Sequence, residues 1–211
     1  MLLIIVHELG HFFTAKYFNW EIDRIYIYPL GGLTKFKTLI NKPLKEELLV
    51  TIMGPIFQIL FFNLIKDYDD SLYYFNNLLL IFNLLPVVPL DGGKLLNIFT
   101  STIISFKKTL KLGILISYAF YPLIIIFFIT NINSVFMTIV TILLILKIIE
   151  ESKSIDYIFN KFLLERYLRK FKYRKDIVVK KVDNYYKYKN NIIIKNKQML
   201  SEKDALRIYY K

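Results

Sequence analysis

Cysteine is absent from the 211 residues. That excludes a disulfide scaffold, a Cys-based zinc finger, an iron–sulfur site and a thiol nucleophile. Histidine is nearly absent too, with two residues, and there are only seven glycines and one tryptophan. No internal repeat is visible. The N-terminus lacks a basic n-region and a small-residue cleavage site, so it does not read as a cleavable signal peptide. Polar surface is scarce: the chain is 55% hydrophobic and 17% aromatic, with a mean hydropathy of +0.41. Soluble domains of this length carry more polar residues than that. The charges that are present are unevenly placed. Residues 1–150 hold 12 Lys/Arg and 10 Asp/Glu, whereas residues 151–211 hold 17 and 7, so most of the formal +12 lies in the last 61 residues. An apolar body with a basic extension points to a membrane protein with an aqueous tail.

Crossing the hydrocarbon core takes about 20 apolar residues in a helix. Five stretches qualify or come close: 1–18, 48–65, 72–90, 109–130 and 134–149. The first is marginal, because His7, Glu8, His11 and Lys16 fall inside it. Between the first two stretches, the alternating run Ile25–Tyr28, the pair Gly31-Gly32 and the following Leu33–Phe36 read as two short strands around a turn. The fold class expected is therefore an all-α polytopic membrane protein with a short membrane-associated β-hairpin and a small C-terminal extension.

The connections give an orientation. Segment 19–47 has five Lys/Arg and segment 91–108 has three, against one in 66–71 and none in 131–133. The basic tail and the two basic connections are thus expected on the cytoplasmic side. Five spans with a cytoplasmic C-terminus put Met1 on the opposite side. With the polar cluster starting so close to Met1, a further helix before it is expected, giving five to six in all. In the tail, residues 155–172 have a helical apolar face, 177–182 and 191–195 look like strands, and Ser201 to Asp204 reads as a capping box that opens a last helix.

His7-Glu8-Leu9-Gly10-His11 carries the chemistry. Residues four apart on a helix share a face, so the two imidazoles can hold one metal ion, and Glu8 lies beside that face within reach of a metal-bound water. These are the chain's only histidines, and chance produces the pattern in fewer than about one in a hundred chains of this length. His7, Glu8 and His11, three ionisable groups clustered within one apolar span, are costly there and mark function. Zinc with three protein ligands keeps a fourth position for water and lowers its pKa, with Glu8 as general base.

Asp91 is the candidate third ligand. Apart from Glu8, the other acidic residues of 1–150 lie in connections or at span ends. Asp91 instead follows a run containing Pro86 and Pro89 and precedes Gly92-Gly93, a pattern of irregular backbone at membrane depth. The orientation agrees, since spans one and three run the same way and bring His11 and Asp91 toward the same side. The metal is then expected some ~10–15 Å below the cytoplasmic surface, from the helix rise.

The motif at 7–11, the Gly-Gly hairpin at 31–32, the Gly54-Pro55 pair and Asn83 to Gly93 together resemble the site-2 protease family of intramembrane zinc metalloproteases, peptidase family M50. The resemblance implies zinc on His7, His11 and Asp91, and Glu8 as catalytic base. It also implies that Asn83 and Pro89 shape the site and hold substrate, and that Gly31 and Gly32 belong to the substrate-binding hairpin, where an extended peptide would add as an edge strand. The short format is similar to the sporulation branch of that family. Members of that branch act in the mother cell of endospore-forming bacteria and remove the pro-sequence of a sporulation sigma factor, pro-sigma-K. One departure is Gln58, which stands where the family often has Asn.

The expected activity is a zinc-dependent endopeptidase in the bacterial inner membrane, with residues 1–150 as the membrane-embedded protease and 151–211 as a basic cytoplasmic tail. Expected partners are a membrane-associated pro-protein substrate, membrane lipids, inhibitory membrane proteins and other copies of the chain; nucleic acid is not among them. The alternatives are a general site-2 protease that cleaves anti-sigma factors or signal-peptide remnants, and a metal transporter or scaffold. A transporter would need neither Glu8 nor an open coordination position.

Overall fold

In the computed structural model the residues described are 2–28, 31–36, 39–65, 70–131, 135–195 and 198–210. Helix α1 (Leu2–Tyr17) is followed by a hairpin of β1 (Ile22–Tyr28) and β2 (Gly31–Phe36). Helices α2 (Leu44–Leu64), α3 (Asp70–Leu84), α4 (Asp91–Ile103), α5 (Phe106–Asn131) and α6 (Val135–Leu168) build the body. A small C-terminal unit follows, with β3 (Asp176–Val179), β4 (Asn190–Lys195), β5 (Gln198–Leu200) and α7 (Glu202–Tyr209). The described residues are mostly helical.

Local chemistry sets several boundaries. Asn19 has φ 54, and the left-handed conformation it tolerates better than most residues ends α1. Trp20 N–H then reaches back to the Ala15 carbonyl at 2.9 Å. Helix α2 starts straight after Pro43 and places Glu46 and Glu47 in its first turn, where carboxylates favour the positive end of the helix dipole. The Ser201 hydroxyl accepts the Asp204 N–H, the capping contact expected from the sequence.

Three differences from the sequence reading have simple causes. The third apolar stretch stops being helical at Leu84, where Pro86 and Pro89 cannot continue it; Val88–Pro89 is a cis peptide. Segment 91–108, read as a connection, contains α4. Its two glycines suggest a loop, yet both are buried in the helix's first turn. A Cβ on Gly92 would strike the Leu84 and Leu85 carbonyls, and one on Gly93 the backbone at Val87 and Val88. Here glycine serves close backbone approach. Finally, the fifth stretch and the tail helix form one helix of 34 residues, because no Gly or Pro interrupts 135–168 and the intervening Glu, Ser and Lys are compatible with helix.

Helices α2 and α5 are long and apolar enough to cross a membrane; α1 and α3, at 16 and 15 residues, are shorter than a full crossing. Large apolar side chains such as Leu60, Leu64, Leu115, Leu123, Ile129 and Ile142 are exposed along the body. Exposed apolar surface of that extent marks a membrane or protein contact. Inside it, Leu3, Ile4, Phe62 and Leu79 join α1, α2 and α3. A second cluster, including Phe82, Val87, Phe128 and Ile148, ties the 85–90 turn to α5 and α6. A third joins Phe106 of α5 and Phe159 and Phe162 of α6 to the C-terminal unit.

The hairpin is antiparallel, with Gly31 and Gly32 opposite Tyr28 and Ile27. In the C-terminal unit β4 is central, parallel to β3 and antiparallel to β5. The 177–182 run is a strand only to Val179, and 182–184 forms a 3-10 turn. The connection 66–69 lies outside the described residues.

Candidate metal centre

Helix α1 places His7 and His11 one turn apart, both buried, with Nε2 atoms 3.2 Å apart. Asp91, the first residue of α4, sends Oδ2 to within 2.9 Å of His7 Nε2 and 3.0 Å of His11 Nε2. The buried Glu8 carboxylate lies beside them, with its oxygen and the histidine donor atoms all within 4.8 Å of one another. The four residues singled out as metal ligands and base therefore meet at one point.

The outer nitrogens define the chemistry of the inner ones. His11 Nδ1 is 2.8 Å from the Val50 carbonyl, a group that only accepts, so Nδ1 carries the ring's proton. His7 Nδ1 is 2.9 Å from Gln58 Oε1. The Gln58 amide is oriented in turn by its NH₂, which donates to the carbonyl and Oδ1 of Asn76 at 3.3 and 3.0 Å. In neutral rings both Nε2 atoms then present lone pairs, and Asp91 adds a carboxylate oxygen. Three electron-pair donors converging within 2.9–3.2 Å suit a cation. Ligands of a tetrahedral zinc at about 2.0–2.1 Å stand about 3.3 Å apart, so the donor set fits zinc in both type and spacing. A backbone carbonyl or amide behind each histidine fixes the tautomer that metal binding requires.

Two further features hold this arrangement. A Cβ on Gly54 would collide with the His11 ring, and one on Gly10 with the Met53 carbonyl. The glycine in the Gly54-Pro55 pair therefore makes room for an imidazole where α1 crosses α2. The other oxygen of Asp91, Oδ1, accepts from Lys94 Nζ at 2.8 Å, which turns the carboxylate so that Oδ2 faces the histidines.

Asn83 is buried in the last turn of α3, and Pro89 follows the cis peptide two residues before Asp91. Gly31 and Gly32 open β2, which packs against α1 outside the ligand cluster. Sequence reasoning missed Val50, Asn76, Lys94 and the role of Gly54. Gln58 was noticed only as a departure, although a polar side chain in an apolar stretch is itself a signal; it is fully buried.

Comparison with known proteins agrees with the geometry. Residues 1–66 match the family described as Peptidase family M50. The fold is similar to that of the site-2 protease from Methanocaldococcus jannaschii, with a TM-score of 0.55 at 24% identity over 72% of this chain and 74% of that one. Residues 1–66 thus carry the sequence pattern of peptidase family M50, and the fold is similar to that of a site-2 protease. Among individual proteins, it is 36% identical over 183 residues to stage IV sporulation protein FB of Bacillus subtilis (strain 168), covering 81% of this chain and 63% of that protein. A zinc metalloprotease of M. jannaschii is 29% identical over 52% of this chain and 35% of its own length. The chain spans less than two thirds of the length of these relatives.

Proposed function

We propose that this chain is an intramembrane zinc endopeptidase, with His7, His11 and Asp91 as metal ligands and Glu8 as general base. The observation that carries the reading is the meeting of three lone-pair donors from α1 and α4 beside a buried carboxylate. Zinc held there supplies a Lewis acid for a peptide carbonyl and lowers the pKa of water. The chain's own residues do the rest. Glu8 takes the proton of the attacking water and delivers it to the departing amine nitrogen. Gln58 and the Val50 carbonyl keep each imidazole in the tautomer that leaves Nε2 free of a proton, and Lys94 holds Asp91 in place. The buried setting keeps bulk water from these contacts.

The substrate we propose is a membrane-associated pro-protein, specifically the pro-sequence of a sporulation sigma factor, pro-sigma-K. Support comes from the similarity to stage IV sporulation protein FB over most of this chain. The hairpin Ile22–Tyr28 and Gly31–Phe36, beside α1, is the edge to which an extended substrate adds, with Asn83 and Pro89 shaping the cleft. The protein sits in the bacterial inner membrane with five to six spans and a cytoplasmic C-terminus. Residues 1–150 form the protease unit and residues 151–211 the basic extension, which meets anionic lipid. Co-expression with pro-sigma-K tests the reading. Wild type should shorten the substrate and Glu8→Gln should not. Processing of an anti-sigma factor instead would move the chain to the general site-2 proteases, and equal processing by Glu8→Gln would end the protease reading.

A further inference from the structure

Resting on the endopeptidase reading, we infer that Glu165 and Arg166, on the C-terminal part of α6, are positioning residues for substrate. They latch the segment that leaves the hairpin, 39–41, to the C-terminal unit and so fix one wall of the catalytic cavity.

Next to the metal centre lies a cavity of about 350 Å³. Glu8 and His11 line part of it. Leu39 and Ile40 of the segment joining β2 to α2 line another part, as do Ile158 of α6 and Lys187 of the C-terminal unit. Ile158 and Lys187, both from the last 61 residues, thus help to line the cavity beside the metal centre.

The wall at Leu39 and Ile40 has no helix or strand of its own, so its backbone groups need partners from elsewhere. Glu165 supplies them. Its carboxylate accepts the Ile40 N–H at 2.8 Å, the Asn41 N–H at 3.0 Å and the Asn41 side-chain amide at 3.0 Å. Arg166 completes the latch, donating from Nε to Asn41 Oδ1 at 2.8 Å, from Nη1 to Glu202 at 2.6 Å and to the Lys189 carbonyl at 3.1 Å, and from Nη2 to the Lys187 carbonyl. Across the cavity, Lys187 Nζ meets Glu47 of α2 at 2.7 Å, and Tyr188 OH donates to the same carboxylate at 2.7 Å. Glu165 and Arg166 are both buried. Buried charges cost free energy unless fully paired, and here Glu165 and Arg166 Nε hold the stretch that follows the hairpin while the other Arg166 bonds tie it to the C-terminal unit. An extended peptide lying between hairpin and metal would have its position set by this latch.

The test uses the full-length, zinc-loaded chain. The chain has no cysteine, so Leu39→Cys introduces a single thiol into the cavity wall. Adding Glu165→Gln, which replaces one acceptor oxygen with a donor facing amides, should speed alkylation of that thiol about tenfold or more, the scale of losing hydrogen bonds to a charged group. Zinc should stay at one per chain. In the background with native Leu39, Glu165→Gln should raise KM for pro-sigma-K about tenfold on the same grounds and leave kcat largely unchanged. Asn41→Ala is the second variant, since it leaves both backbone amides on Glu165 and removes only the Asn41 side-chain bonds to Arg166, Glu165 and the Phe162 carbonyl. Joining Glu47→Cys to Lys187→Cys with a short bismaleimide should restore KM in the Glu165→Gln chain. The proposal is overturned if alkylation and KM stay at wild-type values in both variants, if bridging fails to restore KM, or if zinc is lost with activity. Faster alkylation with zinc retained, in a chain whose parent cleaves nothing, would support the latch and sink the endopeptidase reading alone.

Discussion

Asp91 is 84 positions beyond His7 in the chain, yet its Oδ2 stands 2.9 Å from His7 Nε2. The contact joins the first turn of α4 to the middle of α1, and Lys94, one turn further on, holds the opposite oxygen of the same carboxylate. The centre therefore depends on α4 starting at Asp91.

Asp91→Ala should release zinc. The two histidines alone leave a weaker site, and purified protein measured by metal analysis should fall from about one zinc per chain to a small fraction of that. Asp91→Ala that keeps full zinc and full activity would show that another group completes the centre.

Glu8→Gln should separate binding from chemistry. It keeps the size and hydrogen-bonding reach of the side chain but cannot accept the water's proton. Zinc content should be unchanged while cleavage of a co-expressed substrate falls roughly 10²–10⁴-fold. Wild-type cleavage would remove Glu8 from the role of base.

Gln58→Leu removes the partner of His7 Nδ1 and leaves Asn76 without its donor. Groups behind a metal-binding histidine usually matter about 10–100-fold in metal affinity. Competition with a zinc chelator should show a loss of that size with helical content maintained, whereas Gln58→Asn should lose less. No change for Gln58→Leu would mean that His7 is oriented by packing alone.

Gly54→Ala has an unusual expected sign. In the middle of a helix this change ordinarily stabilises by about 0.5–1 kcal/mol. Here the new methyl meets the His11 ring, so thermal stability of the metal-free protein and zinc affinity should both fall. A raised Tm with intact zinc would mean that the α1–α2 crossing yields easily.

Topology can be read with reporters. A fusion after the last residue should behave as cytoplasmic and an insertion within 66–69 as external, following the Lys/Arg asymmetry. Reversed signals would turn the whole bundle over and place the extension on the wrong side for a cytoplasmic substrate.

What the sequence by itself determined was local or statistical. The spacing of His7 and His11 puts both on one helical face, because a helix repeats every 3.6 residues. The apolar stretches announce a bundle with an apolar exterior, and Ser201 announces the last helix. Asp91 was legible because prolines and glycines surround it, although the same glycines hid α4. Only the tertiary structure decided the rest. It assigned Gln58 and the Val50 carbonyl to the histidines, showed that Gly54 is small to admit His11, and joined Glu165 to residues 40 and 41 across more than 120 positions. None of these contacts has a period or a fixed spacing. They arise where helices cross, and the buried polar groups meeting there must find partners wherever in the chain those partners lie.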